Sequence, residues 1–201
     1  MGSNHPVSTT SKIINGVNVT ELFQTVDVIK AAPVAAKFRF RLNNKWIDGG
    51  HNRSTINEFQ GACADHARPE PFVIDADEPK LLLGQDQAPN PVEYLLKAIA
   101  ACVTSSMIYH AAAKGIQIDE LESRVEGDID LRGFLGIDPS VRNGFQNIRM
   151  SFRIRADVSD EQLQELVALG PTFSPVFDSV SKGVPVTVEA SRMEGAKSTA
   201  A

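Results

Sequence analysis

The stretch Pro89–Gly115, PNPVEYLLKAIAACVTSSMIYHAAAKG, restricts what this chain can fold into more than any other. Pro91 follows Asn90, and proline is tolerated in a helix's first turn, where its missing N–H has no partner to lose. Lys114 and Gly115 suit a helix C-terminus, the cation facing the dipole and the glycine free to reverse the backbone. Nothing between them breaks a helix. At about 3.6 residues per turn, Leu95, Ile99, Cys102, Ser106 and Tyr109 fall on one stripe, flanked by Leu96, Val103 and Met107. An apolar arc this wide predicts a long buried helix, and its many alanines let neighbouring elements come close. Cys102 stands in the middle of it. It is either a reactive thiol or a small core residue.

A chain of 201 residues suggests one domain, at most two, with enough length for a real core. The formal net charge of −5 argues against a nucleic-acid partner. No apolar run is expected to reach the roughly 18 residues of a membrane span, and the polar start Met1–His5 does not read as a signal peptide. Two cysteines, Cys63 and Cys102, do not make a disulfide framework. The expectation is a cytoplasmic protein with free thiols, no membrane partner and no cofactor. Residues 1–35 read as an N-terminal tail and short helix, 36–192 as the folded domain, and 193–201 as a C-terminal tail. Met1–Lys12 and Glu194–Ala201 are expected to be disordered.

Asn18 and Glu21 have capping spacing for a helix over Asn18–Ala32, which Pro33 ends. Phe38, Phe40 and Leu42 alternate with Arg39 and Arg41, the pattern of a half-buried strand. Asn43-Asn44 reads as a turn, Lys45–Ile47 as a return strand, and Gly49-Gly50 as a second break. Ser54–Phe59 and His66–Ile74 read as extended, with Pro69 and Pro71 placing the latter at an edge or bulge. Residues 75–89 form a long loop into the central helix. Beyond it, an alternating run over Leu121–Leu131 is acidic on one face, and a second over Ile148–Arg155 is basic. Opposite charges favour pairing the two strands. Ser159 and Gln162 open another helix, stopped by Gly170-Pro171; Ser174-Pro175 opens a last one, and Val184–Val188 reads as a final strand. The order predicts an α+β fold, a mainly antiparallel sheet packed on a central helix.

Asn90-Pro91-Val92-Glu93-Tyr94-Leu95-Leu96 followed by Ala98-Ile99-Ala100-Ala101-Cys102 resembles the cysteine helix of the OsmC/Ohr family. Gly115-Ile116, Leu121, Glu126-Gly127 and Ser174-Pro175-Val176 extend the resemblance, which covers roughly Phe38 to Ala190. It implies an intertwined homodimer built around two long helices. Its best-known members are thiol peroxidases that reduce organic hydroperoxides with two cysteines, an arginine and a glutamate. Cys102 matches the peroxide-attacking cysteine. The second cysteine is replaced by Ser174, which keeps a helix cap and removes the redox partner. Val92 holds the family's glutamate position, and Glu93 follows one residue later, about 100° around the helix. Arg53 is the nearest match for the arginine, with Arg39, Arg41 and Arg68 as alternatives.

The resemblance therefore implies a stress-related protein in which Cys102, Arg53 and Glu93 serve a one-cysteine peroxidase that turns over with an external thiol. The alternative is a non-catalytic dimer whose interface pocket binds a small hydrophobic ligand. Cys63 reads as unpaired. His5, His51, His66 and His110 lack zinc-site spacing, and His110 lies about 12 Å along the helix from Cys102. Asp178 and Ser179 read as surface residues, and the arginine rows as a solvent-facing sheet.

Overall fold

Side-chain caps set the helix starts in the computed structural model of the chain, which describes residues 11–193. Asn18 accepts a hydrogen bond from the Glu21 N–H at 3.2 Å and opens α1 (Val19–Ala31). A hairpin precedes it, β1 (Ile13–Ile14) and β2 (Val17–Asn18), turned by Asn15 and Gly16 in left-handed backbone. Asn15 donates to the Ile116 carbonyl at 2.9 Å and accepts from the Ile118 N–H at 2.8 Å. That clamp fixes the N-terminal unit to the chain just past the central helix, where Ile14, Val19 and Ala112 form a small core. Apart from residues 11 and 12, the tails expected at 1–12 and 194–201 lie outside the described residues, as does His5.

The first sheet centres on β5 (His51–Gly61). β3 (Arg39–Phe40) and β4 (Asn43–Asp48) pair in succession along one side of it, and β6 (Ala64–Ala76) along the other, all antiparallel. Asn43-Asn44 is therefore not a turn. Both residues sit in the ladder, opposite Thr55 and Ser54, and the chain reverses at Gly49-Gly50. The register between β5 and β6 shifts after Ile56, and Pro69 and Pro71 occupy the extra length of β6 at this shift. β6 is an edge strand, where a missing N–H leaves no ladder bond broken.

The central helix α2 spans Pro91–Ala113. It is long and apolar enough to cross a membrane by length and composition alone, which corrects the expectation that no such stretch exists. Ile99, Val103, Met107 and Ala111 form its buried stripe. This stripe is rotated from the expected one, in which only Ile99 is buried. Cys102 is half-buried and Tyr109 is 52% exposed. The reason is that α4 (Asp160–Phe173) packs on one side of α2 while the Cys102 side stays open.

β7 (Glu120–Asp128) and β8 (Asn147–Arg155) form a separate antiparallel pair. Its inner face contributes Leu121, Phe152 and Ile154 to a core with Met107, Ala111, Ile118 and Leu166. Its outer face carries the expected charge ladder, with Glu120 to Arg155 at 2.7 Å, Glu122 to Arg153, and Arg149 bridging Glu126 and Asp128. β7 ends at Asp128 rather than at Leu131. Asp130 instead accepts from the Arg132 N–H at 3.0 Å and caps the short helix α3 (Leu131–Phe134).

Gly170-Pro171 does not stop α4. Gly170 lies against α2 so closely that a Cβ there would sit 2.7 Å from Val103 Cγ1, and the helix runs two residues past Pro171. Ser174 ends α4 and caps α5 (Pro175–Lys182). Val184–Val188 is not a strand in the single chain. The three valines are exposed, Val188 at 89%, because no sheet edge of the same chain reaches them.

Candidate active site around Cys102

Asn90 and Glu93 build the start of α2 with a reciprocal capping box. The Asn90 side chain accepts from the Glu93 N–H at 2.9 Å, and Glu93 Oε2 accepts from the Asn90 N–H at 2.8 Å. Nine positions further on, Cys102 faces a cavity of about 540 Å³. Ala98, Ala101, Ser106, Tyr109, His110 and Val176 are among its walls, and no Arg, Lys, Asp or Glu among the described residues lines it. His110 stacks on Phe173 with ring centroids 3.7 Å apart. Burial, and then the nearby Lys114, push its pKa down and favour the neutral imidazole. Among the described residues of one chain, therefore, no permanent cation lines the Cys102 cavity.

The turn carrying Ser174 adjoins this cavity through Val176. Ser174 is buried, and its Oγ accepts from the Phe177 N–H at 3.1 Å. The hydroxyl thus satisfies a helix-end donor that would otherwise be unpaired. Cys63 and Cys102 are both free thiols; Cys63 is exposed at the β5–β6 turn.

Arg53 and Glu93 do not line the Cys102 cavity. Glu93 lies about 2.5 turns and ~13 Å of axial rise away, on the opposite face of α2, and its carboxylate serves the cap. Arg53 on β5 is held bidentately by Asp75 on β6, Nε to Oδ1 at 2.7 Å and Nη2 to Oδ2 at 2.8 Å. The hydrogen bonds from Arg53, against the opposing effect of burial, hold the pKa of the Asp75 carboxyl at about 2. His51 Nε2 lies 3.5 Å from Asp75 Oδ2, beyond a good hydrogen bond, and has no other partner among the described residues. Tyr94 donates to the Asp75 carbonyl at 2.6 Å, which ties the cluster to the first turn of α2. The other arginines are placed differently. Arg68 donates to the Asn57 carbonyl at 2.8 Å and lies over Phe59 and Phe72, and Arg39 is exposed on β3.

Asp77 organises the loop into α2. Nearly fully buried, it accepts from the N–H groups of Glu78, Gln85 and Gln87. Burial opposes its ionisation, but these three donors outweigh it and lower the pKa. Sequence reasoning missed Asp75, Asp77 and Tyr94. Only strand register and loop packing bring them together. It also missed the capping role of Glu93, for which a signal existed: Asn90-x-x-Glu93 repeats the spacing of Asn18–Glu21 and Ser159–Gln162. Asp178 pairs with Lys182, and Ser179 donates to the Pro175 carbonyl at 2.7 Å, as surface helix residues do. No cluster of three or more metal-ligating side chains occurs among the described residues.

No curated protein matches the sequence significantly. Among solved structures, the chain is similar to an OsmC-like protein from Mycoplasma pneumoniae at 18% identity and a TM-score of 0.55, covering 71% of this chain and 87% of that one. It is similar to an OsmC-like protein of unknown function from Vibrio cholerae at 10% identity and a TM-score of 0.54, covering 70% and 92%. These likenesses show the fold. The family model described as OsmC-like protein matches residues 84–189, just over half the sequence. That span contains α2 with Cys102, both strands of the charge ladder and the Ser174 turn. The chain belongs to the OsmC-like protein family.

Proposed function

We propose that the protein is a homodimeric, one-cysteine, thiol-dependent peroxidase that acts in the cytoplasm and reduces organic hydroperoxides through Cys102. The observation that carries the reading is a half-exposed thiol on the wall of an open, largely apolar cavity of about 540 Å³. Such a cavity suits the organic part of a hydroperoxide. The Cys102 thiolate attacks the distal peroxide oxygen, the O–O bond breaks, and the alkoxide leaves and takes up a proton. Sulfur is oxidised by two electrons to the sulfenic acid, and the peroxide is reduced to the alcohol. One external thiol then displaces water to give a mixed disulfide, and a second releases Cys102. In this scheme a second chain supplies the cation: Arg53, oriented by Asp75, stabilises the thiolate and the developing alkoxide. Glu93 contributes by fixing the start of α2.

Unpartnered apolar surface supports the dimer. Phe40 is 72% exposed, Trp46 65% and Val186 79%, and both sheets present open edges. A two-stranded pair such as β7–β8 is marginal by itself, and bare edges invite pairing. The absence of a cation from the cavity among the described residues of one chain favours the second reading, a dimer that binds a small hydrophobic ligand there without turning it over. Single-turnover oxidation separates the two. Reduced protein is mixed with cumene hydroperoxide or hydrogen peroxide, and sulfenic acid is trapped and located by mass, with Cys102→Ser and Cys63→Ser alongside. The peroxidase reading requires fast oxidation at Cys102 with the organic peroxide preferred. Oxidation no faster than that of the exposed Cys63 would leave the binding reading.

A further inference from the structure

A second cavity, of about 680 Å³, is bounded by the same helices α2 and α5 as the Cys102 cavity but lined by different residues of each. Ile99 and Val103 of α2, Met150 and Phe152 of β8, and Phe177 and Val180 of α5 form its apolar walls. Among the described residues, Arg142 is the only ionisable one that lines it. Among the described residues the Arg142 guanidinium has no ion-pair or hydrogen-bond partner, whereas Arg132, Arg149, Arg153 and Arg155 each pair with a carboxylate.

The segment presenting Arg142 is braced on both sides. Arg132 is held by Asp130 and lies 3.7 Å from Asp138, which accepts from the Ser140 N–H and hydroxyl. A Cβ on Gly133 would meet the Arg142 carbonyl oxygen at 2.5 Å, and one on Gly127 would meet the Phe145 ring at 2.6 Å. Neither glycine has left-handed backbone. Their lack of a side chain is what lets Arg142 and Phe145 close over the cavity. The Gln146 N–H donates to the Asp128 carbonyl at 2.8 Å and anchors the far end.

We propose that this cavity binds an amphipathic monocarboxylate, its apolar tail between α2, β8 and α5 and its carboxylate on Arg142. An unpaired guanidinium on a braced loop beside a mainly apolar space, whose other polar walls are the neutral Gln146, Asn147 and Ser181, is complementary to that chemistry. A neutral apolar ligand would leave the cation unused, and a cationic one would be repelled. The braced loop places the Arg142 backbone before the ligand arrives, which lowers the ordering cost of binding.

The test is calorimetric titration of the full chain with octanoate, decanoate and dodecanoate below their micelle concentrations. One site per chain is expected, with affinity rising about 15-fold for each two methylenes while the cavity has room. Arg142→Gln is expected to weaken decanoate at least about tenfold and leave 1-decanol unchanged. Val180→Trp, which fills the cavity from a partly exposed position, is expected to abolish binding. The Cys63→Ser variant alkylated at Cys102 with N-ethylmaleimide is expected to bind as before. Three results would each overturn the proposal: no binding, as when a second copy of the chain covers the cavity; decanoate binding indifferent to Arg142→Gln in a variant that melts like wild type; or binding lost on alkylation, which would place the ligand beside Cys102.

Discussion

Ala62 and Cys63 form the two-residue turn between β5 and β6, and both hold left-handed backbone, at φ 48° and 63°. Such turns favour Asn-Gly, because side chains other than Asn and Asp meet the carbonyl in that region at a cost of about 1–2 kcal/mol per residue. Ala62→Asn combined with Cys63→Gly is therefore expected to raise stability by about 1–2 kcal/mol. Urea unfolding should show a higher midpoint at an unchanged slope. At the other end of β5 the Arg53–Asp75 pair sets a pH dependence. The folded carboxyl is held at about 2 against an ordinary 3.8, chiefly by its bonds from Arg53. A depressed carboxylate stabilises the fold above its unfolded pKa and loses that contribution as the pH falls toward its folded one. The stability gap between wild type and Asp75→Asn should thus be flat from pH 7 to about 5 and shrink between about 4 and 2. A gap that persists unchanged below that window would mean that the guanidinium is not what holds the carboxyl down.

The contact between α2 and α4 turns on Gly170. Gly170→Ala would set its Cβ 2.7 Å from Val103 Cγ1 and 3.0 Å from the Val103 carbonyl, so the two helices must part. A loss of about 1–3 kcal/mol is expected, read as a lower melting temperature; an unchanged melt would show that the helices slide apart freely. This glycine also shows where sequence reading fails. Gly170-Pro171 carries the residues of a helix stop, but its close approach to Val103 depends on a neighbour almost seventy positions away. Features set by adjacent residues were legible, among them the Asn18, Ser159 and Ser174 caps, the start and end of α2, and the charge pairing of β7 with β8. Asn43-Asn44 was misread because β5 recruits both residues into its ladder. The buried stripe of α2 was misread because periodicity locates an apolar arc but not the side on which α4 lies. At the candidate site, the position of Cys102 midway along α2 was legible from its motif, whereas Asp75 was not, since only strand register sets it opposite Arg53.

The exposed faces of both sheets and the bare Val184–Val188 segment predict that folding and association are linked. The melting temperature should rise with protein concentration, as for any chain whose partner binds only the folded state, and sedimentation should give twice the chain mass. Amide exchange over Val184–Val188 should be slow in the associated protein and fast on dilution. A concentration-independent melt with a single-chain mass would exclude the dimer. The serine that closes α4 and opens α5 bears on how such a protein would behave in a cell. Its oxygen takes the helix-end N–H as well as sulfur would, but it cannot close a bond to an oxidised Cys102. Each oxidation event would then leave the chain waiting for a thiol from outside. Its turnover would follow the thiol supply rather than the peroxide load, and under thiol starvation the protein would consume one peroxide per chain and stop, recording the exposure in its own sulfur.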